Sequence, residues 1–380
     1  MTWRRALVVL CLASFAMPAG AAESHVPIPI WRLRVHGWGE PASDGSSTFV
    51  LAQGHELLAV DTATGTIAWR SPTGGPGEVT WGSAVRIAGE RVIVGDDAVV
   101  AFDRATGAES WRFVPPGGPG SGPYLGDARA GLLMLGSPNG RVYAVDATSG
   151  RLRWTRTVAT VGPTTVFAPI WVGDRIVASF TTFGAHLSGG VVAFDATGRR
   201  LWRQPLTTAG AGGPPIDAGG SAVVAQTDGH VLAFHAGSGR RLWLLPRQQS
   251  RDPRQPLLRD VRALSASGSI LVTGSLTGAV IAYDIATRHE RWRYDDGPDN
   301  AAPLRIRTDD RTAYVPFTNG VLMALDLDSG RERWRAGGAD GVLPWPPSLT
   351  GDAVIAAGDD AIVAFARGEG PDRVAGADTR

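Results

Sequence analysis

Residues 101–112 read Ala-Phe-Asp-Arg-Ala-Thr-Gly-Ala-Glu-Ser-Trp-Arg, and the fold follows from this stretch. Its first apolar residues suit a buried strand, its Asp and Gly suit a tight turn, and its Trp lies in a second short strand. The phrase occurs seven times, with 40 to 49 residues between the Asp positions of successive copies. A period of that length is typical of a β-propeller or a solenoid.

Each part of the repeat has a physical role. Asp103 can accept hydrogen bonds from backbone amides two or three residues further on, which fixes a turn. Gly107 supplies the positive φ that such turns need. Trp111 buries roughly 150–250 Å², and we predict that it wedges between one sheet and the next; ligand binding by these indoles is the alternative. The predicted structural docking residues are Trp31, Trp69, Trp111, Trp154, Trp202, Trp243, Trp292 and Trp334.

The pattern Ala-x-Asp-x-x-Thr-Gly-x-x-x-Trp resembles the tryptophan-docking motif of the pyrroloquinoline-quinone (PQQ)-type β-propeller repeat. The resemblance covers nearly the whole chain after its first segment. Three copies depart from the motif: the fourth is one residue short in its turn, the fifth has His235 in place of Asp, and the sixth has Arg288 in place of Gly. These departures weaken single turns and leave the fold assignment intact.

The two ends of the chain carry incomplete copies of the repeat. Trp31 stands 38 residues before Trp69, and residues 363–365 repeat the strand phrase with no tryptophan after it. We therefore predict that residues 30–35 supply the fourth strand of a last blade whose first three strands lie in residues 346–366. The predicted fold is an all-β, eight-bladed β-propeller of four-stranded antiparallel blades, closed by the N-terminal strand; seven blades is the alternative. Closure leaves no free sheet edge.

Residues 1–22 are typical of a secretory signal peptide. Arg4 and Arg5 precede an apolar run over 6–17, and small residues at 19–21 form a cleavage site. An uncleaved anchor is the alternative. The only cysteine, Cys11, lies inside the apolar run and follows Leu10, so it does not match a lipid-attachment box. We expect an exported, soluble, unlipidated protein, periplasmic or secreted, with a single propeller domain over 23–366 and a disordered tail over 367–380.

The charge of the chain limits its partners. The formal net charge is +1, and cleavage would remove two arginines and no acid. Near neutrality argues against nucleic acid or an anionic membrane as the main partner. Apart from the signal segment, no stretch is long and apolar enough to cross a membrane. We expect a monomer that binds a protein partner.

The starts of the first strands should meet at one mouth of the propeller channel. By register, residues from several blades reach this mouth and form a candidate partner-binding face: Trp81, Tyr124, Trp171, Arg259, Arg262, Arg305 and Trp345. Aromatic and arginine side chains together suit a protein or small-anion site. The alternative is that Trp81 and Trp345 only pack between neighbouring blades. Three inserts, at 115–123, 181–190 and 245–260, are predicted on the same face.

No chemical motif accompanies the repeat. The acid pairs Asp96-Asp97 and Asp359-Asp360 could hold calcium, but neighbouring strand residues point to opposite faces, which favours solvated turns. The histidines show no zinc-ligand spacing, and no nucleophile elbow, phosphate loop or dinucleotide fingerprint is present. The sequence therefore predicts no catalytic, cofactor-binding or metal-binding residue.

Members of the resembled family have two well-separated roles. One is that of quinoprotein dehydrogenases, which use PQQ and calcium together with an adjacent cysteine pair; this chain has no such pair. The other is that of BamB-type outer-membrane assembly factors, scaffolds whose loops grip a partner, to which this chain is similar in build. BamB-type proteins are usually lipoproteins, and this chain lacks the lipid cysteine. The resemblance implies an exported, non-catalytic protein-binding scaffold of the cell envelope with no cofactor. A PQQ/calcium-dependent dehydrogenase and an envelope glycan-binding propeller are the alternatives.

Overall fold

A computed structural model of the chain describes residues 26–74, 84–95, 98–116, 123–159, 162–206, 209–225, 227–245, 261–276, 278–294, 301–303, 305–337 and 345–367. The predicted signal peptide, the Asp96-Asp97 pair and residues 368–380 of the predicted tail lie outside this part. Across the described ranges the regular elements are all β-strands. None of these residues forms a helix with the length and hydropathy needed to span a bilayer. The all-β prediction is confirmed.

The strands are short, with bounds as follows. They are β1 (Pro29–Leu33), β2 (Gly37–Ser43), β3 (Ser47–Ala52), β4 (Glu56–Asp61), β5 (Ile67–Pro72), β6 (Ala84–Ala88), β7 (Arg91–Gly95), β8 (Val99–Asp103), β9 (Glu109–Phe113), β10 (Tyr124–Arg129), β11 (Leu132–Gly136), β12 (Arg141–Asp146), β13 (Leu152–Thr157), β14 (Thr164–Val166), β15 (Ile170–Val172), β16 (Arg175–Thr182), β17 (Ser188–Phe194), β18 (Arg200–Leu206), β19 (Ile216–Asp217), β20 (Ser221–Ala225), β21 (Val231–His235), β22 (Arg241–Leu245), β23 (Val261–Ser267), β24 (Ile270–Ser275), β25 (Val280–Asp284), β26 (Glu290–Tyr294), β27 (Arg307–Thr308), β28 (Thr312–Pro316), β29 (Val321–Asp326), β30 (Glu332–Gly337), β31 (Ser348–Leu349), β32 (Ala353–Ala357) and β33 (Ile362–Ala366).

Consecutive strands form antiparallel groups of four, which we call units. Two of these units, β2–β5 and β6–β9, are joined into one eight-stranded sheet by a parallel bridge between Glu40 and Ala84. The units of simple chain order are β2–β5, β6–β9, β10–β13, β19–β22, β23–β26 and β27–β30. In the unit between β13 and β19, the first strand is broken into β14 and β15, which both pair with β16. Pro169 lies at this break and has no backbone N–H to donate to a ladder.

The last sheet combines both ends of the described chain. Its order is β1-β33-β32-β31, and β1 is antiparallel to β33, with Trp31 opposite Ala364. Arg367, the first residue of the predicted tail, donates to the Asp309 carboxylate at 3.0 Å and to the carbonyl oxygen of Thr350. Arg367 therefore links its own sheet to the neighbouring unit.

The hydrophobic core lies between neighbouring units. One cluster joins Ile93 and Ala101 of one unit to Leu133 and Tyr143 of the next, and all four are fully buried. Strands buried on both faces read as continuous apolar runs rather than as strict alternation. The structure repeats this arrangement from unit to unit, so each sheet is held by the faces of its two neighbours.

In six of the units, a tryptophan side chain hydrogen-bonds to the turn of the next unit. Trp69 Nε1 donates to the carbonyl oxygen of Arg104 at 3.1 Å, and a Cβ on Gly107 would lie 2.6 Å from the Trp69 ring. The glycine is thus required twice, for its φ of 73° and for the close approach of the indole. The indole-to-carbonyl hydrogen bonds are Trp31–Thr62, Trp69–Arg104, Trp111–Ala147, Trp154–Ala196, Trp202–Ala236 and Trp292–Leu327.

The aspartate of the repeat holds the same turn. Asp103 Oδ1 accepts hydrogen bonds from the backbone amides of Ala105 and Thr106 and from the Thr106 hydroxyl. These bonds to an ionised acceptor lower the pKa of Asp103. In the fifth copy, His235 Nδ1 accepts from the backbone amide of Ser238, so the imidazole replaces the carboxylate. In the sixth copy, Arg288 takes the left-handed conformation with φ of 63°.

Candidate functional site

A cavity of about 220 Å³ lies where the first strands of the units come together. Its wall includes residues of β2, β6, β10, β15, β19, β23 and β27, and residues just before β31. Most of the lining is apolar, with Phe167, Ile216 and Leu264 among the side chains. A small number of charged residues occurs within this apolar wall, which is the usual composition of a small-molecule site.

An ionic cluster of Glu40, Arg86 and Arg307 forms the floor of this cavity. Arg86 donates to Glu40 Oε2 at 3.0 Å, and Arg307 donates to Oε1 of the same carboxylate. The Glu40 side chain is only 19% exposed. These three residues and Asp127 also line a second cavity, whose other walls are formed by Ser43, Ile87 and Leu349. The cluster therefore separates two cavities.

The charge state of Glu40 is set by its neighbours. Burial raises the pKa of this carboxyl, but the positive charges of Arg86, Arg307 and Arg305 outweigh it and bring the pKa down to about 2. Glu40 is therefore ionised at neutral pH and unsuited to donate a proton. Because both of its oxygens accept hydrogen bonds from guanidinium groups, it acts as a structural anion.

Three of the mouth residues predicted from the sequence come together at the cavity. Tyr124, Arg305 and Trp345 all line it. The Tyr124 ring packs against Phe167 in a tilted arrangement, with ring centroids 6.0 Å apart, and burial raises the pKa of its hydroxyl. The Trp345 ring is buried and lies 5.8 Å from that of Trp38. Arg305 belongs to the same wall, and burial lowers its pKa.

The prediction for Trp171 needs correction. Its side chain lies in the core between two units, packed with Met134, Val166 and Ile176, and does not line the cavity. Neighbouring strand residues face opposite ways, and it is Ile170 that reaches the cavity wall. The break at Pro169 shifts the alternation by one residue from the register that the sequence suggested. Arg129 lies over the Trp171 ring at 5.8 Å.

The other predicted mouth residues are less fully described. Trp81 and Arg259 lie outside the described residues. Arg262 belongs to β23, but the structure does not describe its side chain. These three remain predictions.

Four charged residues of the cavity region were not identified from the sequence: Glu40, Arg86, Asp127 and Arg307. Each is a charged residue within the first strand of a unit, among neighbours that are mostly small or apolar. The recurrence of such a charged residue in the first strands of four units is the sequence signal that could have identified the cluster. Asp127 Oδ2 accepts the backbone amide of Trp171 at 3.1 Å, so it also joins two units.

A hairpin between β16 and β17 projects from the same end of its unit as the start of the first strand. Its base is fixed because Thr182 pairs with both Thr164 and Ser188, and Phe183 N–H donates to Pro163. At its tip, Phe183 and Leu187 are 47% and 45% exposed. This hairpin is the insert predicted at 181–190. Large exposed apolar side chains on a fixed loop favour a binding surface.

The cavity residues do not fit a calcium-bound quinone. Glu40, the acid at the cavity floor, already has both oxygens occupied by arginines. Among the described residues, no group of three His, Cys, Asp or Glu side chains is close enough to hold a metal ion. Asp359 of the second acid pair lies 3.7 Å from His36 instead. The cavity volume of about 220 Å³ is also below the roughly 300 Å³ at which pockets for larger ligands begin.

A family model for outer membrane protein assembly factor BamB, one of the PQQ-like repeat families, matches residues 28–182 and 187–369. The chain belongs to this family. BamB of Bordetella pertussis is 27% identical over 292 residues, which are 63% of this chain and 72% of the relative. BamB of Burkholderia pseudomallei is 26% identical over 343 residues, covering 86% and 84% of the two chains.

Solved structures show the fold that goes with the family. BamB from Moraxella catarrhalis matches with a TM-score of 0.66 at 16% identity, over 90% of this chain and 98% of that chain. The C-terminal WD40 domain of Sif2 matches with a TM-score of 0.72 at 12% identity, over 92% and 100%. At these identities the likeness concerns architecture alone, and it is that of a β-propeller.

Proposed function

We propose that this chain is a non-catalytic scaffold of the BamB type that binds a protein partner during outer-membrane protein assembly. Its family membership carries the proposal. The state of Glu40 supports a role without chemistry at this residue, since its carboxylate is ionised and held by two arginines. We further propose that the chain works after export, in the periplasm, as an unlipidated monomer without a cofactor.

The proposed architecture is an eight-bladed ring closed by the N-terminal strand. Each unit would be one blade, and the sheet that combines β31–β33 with β1 would be the eighth. Support comes from the antiparallel pairing of β1 with β33. A ring of this kind presents one rigid face to a partner, with little loss of conformational entropy on binding.

The proposed partner-binding surface is the tip of the β16–β17 hairpin. Phe183 and Leu187 are the exposed apolar side chains at this tip, and the base of the hairpin is held by Thr181, whose hydroxyl donates to the carbonyl oxygen of Ala211 at 2.8 Å. Apolar side chains on a preorganised loop are the usual anchors of a protein interface. The tip lies at the end of its unit where β14 starts, because Thr182 at the base of the hairpin pairs with Thr164.

Photo-cross-linking in the native host tests this proposal. A photoreactive amino acid at position 183 should cross-link to a protein of the outer-membrane assembly apparatus, identified by mass spectrometry. The double change Phe183→Ser with Leu187→Ser should abolish co-purification of that protein and leave the melting temperature unchanged. Leu152→Ser is the matched control, because Leu152 is 42% exposed and lies on β13, away from the hairpin. If the double variant still co-purifies the partner at the wild-type level, the hairpin is not its binding surface.

A further inference from the structure

The arginines that line the 220 Å³ cavity differ in whether an acidic side chain pairs with them. Arg86 and Arg307 both bind Glu40. Arg305 makes no hydrogen bond or ion pair with any residue that the structure describes, although its charge acts on Glu40 from a distance. The Arg305 side chain is partly buried at this largely apolar wall. A partly desolvated guanidinium without a hydrogen-bonded partner is poorly compensated, so the site favours a bound anion.

A count of charges gives the valence of that anion. The cavity is lined by three arginines (Arg86, Arg305 and Arg307) and two acids (Glu40 and Asp127). One positive charge is therefore left over. A monoanion would neutralise it, whereas a dianion such as a phosphate ester would leave an excess negative charge beside two carboxylates.

The apolar part of the wall defines the rest of the ligand. Phe167, Ile216, Leu264 and Trp345 line the cavity beside the charged group. Its volume of about 220 Å³ leaves room for on the order of seven to ten non-hydrogen atoms, by comparison with the volume of a water molecule. The hydroxyl of Tyr124 adds a neutral donor next to Arg305, whose charge acts on it.

We propose that this cavity binds a small monocarboxylate with an apolar body, whose carboxylate pairs with Arg305. A planar guanidinium and a carboxylate form two parallel hydrogen bonds, which fixes the orientation of the acid. The apolar body then lies against Phe167 and Leu264. This site is independent of the proposed scaffold role, since it uses no residue of the β16–β17 hairpin.

Calorimetric titration of the purified protein tests the site with two probes of equal size. Phenylacetate carries the charge, and phenylacetamide is its neutral counterpart. We expect phenylacetate to bind roughly ten- to a hundredfold more tightly, because a hydrogen bond to a charged group is worth about that factor. Arg305→Met should reduce phenylacetate affinity by a similar factor. Arg200→Met is the matched control, because Arg200 is exposed on β18, and it should bind like the wild type.

The comparison of the two probes on unaltered protein does not depend on whether a variant folds. Equal binding of the acid and the amide, or no binding of either at millimolar concentration, would overturn the proposal. Displacement of phenylacetate by an equal concentration of inorganic phosphate would also exclude a monocarboxylate site. The hairpin double variant should keep phenylacetate binding, and Arg305→Met should keep the protein partner, so each proposal can fail alone.

Discussion

The indole Nε1 of Trp111 donates a hydrogen bond to the carbonyl oxygen of Ala147, 3.2 Å away and 36 residues later in the chain. The two residues belong to neighbouring units, and the ring also covers Gly150 in the turn after Ala147. Burial of one side chain therefore fixes the position of one sheet relative to the next. Five further tryptophans make the corresponding hydrogen bond in the described part of the chain.

Replacement of Trp111 measures what this contact contributes. Trp111→Ala should lower the free energy of unfolding by about 3–5 kcal/mol, the usual cost of removing a large buried aromatic. Trp111→Phe should cost less, because a ring is kept and the hydrogen bond to Ala147 is lost. Urea unfolding followed by circular dichroism gives both values. Equal costs for the two variants would show that ring burial is not the main term.

Alanine substitutions at Gly107 and Gly131 distinguish the cost of backbone strain from the cost of a steric clash with tryptophan. Both have positive φ, 73° and 75°, but an added Cβ meets the Trp69 ring only at Gly107 and meets nothing within 4 Å at Gly131. Gly131→Ala should cost about 1 kcal/mol of backbone strain. Gly107→Ala should cost about 1–3 kcal/mol more, the usual effect of overpacking. Chemical unfolding of the pair provides the test, and equal losses would remove the steric argument.

Arg288 occupies the position that glycine holds in most copies of the repeat, with φ of 63°. Arg288→Gly should raise the free energy of unfolding by about 1 kcal/mol, since a left-handed conformation costs a side-chain-bearing residue about that much. Arg240→Gly serves as control; Arg240 is exposed and is not among the positive-φ residues, so glycine there should destabilise slightly. A melting temperature that falls in both variants would contradict the strain at Arg288.

Glu40 should make stability depend on pH. Its pKa in the folded protein is about 2 against an ordinary value of 4.5, so the ionised group stabilises the fold above pH 4.5 and loses this effect as the pH falls towards 2. Glu40→Gln should therefore cost on the order of 3 kcal/mol at pH 7 by the free energy per pKa unit. The cost should shrink on acidification, measured by urea unfolding between pH 7 and pH 2.5.

The control for this experiment is Glu90→Gln, because the Glu90 side chain is 78% exposed. It should change stability little at any pH, as expected for a surface ion pair. If the loss of unfolding free energy in Glu40→Gln stays constant from pH 7 to pH 2.5, the negative charge of Glu40 is not the source of its stabilising effect on the two arginines.

The repeat made much of the fold predictable. Asp103, Gly107 and Trp111 have residue types whose local preferences are strong, and their recurrence gives strands, turns and inter-sheet contacts at once. The polar floor of the cavity could not be predicted in this way. Glu40 and Arg307 are 267 residues apart in the chain, and nothing local in the sequence states that two such residues meet.

The error at Trp171 has a local cause. Alternation along a strand assigns faces only while the strand is continuous, and Pro169 divides this one into β14 and β15. Tyr124, Arg305 and Trp345 line the cavity at or up to three residues before the start of β10, β27 and β31, and their role in binding a partner stays a prediction. Register arguments are therefore weakest beyond a proline.

The pairing of β1 with β33 also bears on how the chain acquires its structure. During synthesis, residues 29–33 leave the ribosome long before residues 362–365 exist. The first strand, β1, therefore cannot pair until β33 has been made. Contacts between segments so distant in sequence form slowly, because the entropy cost of closing a long loop comes before the contacts can stabilise the chain. Completion of this sheet is therefore expected to be a late event, and a chain interrupted before its final hairpin would keep two sheet edges unsatisfied and prone to aggregation.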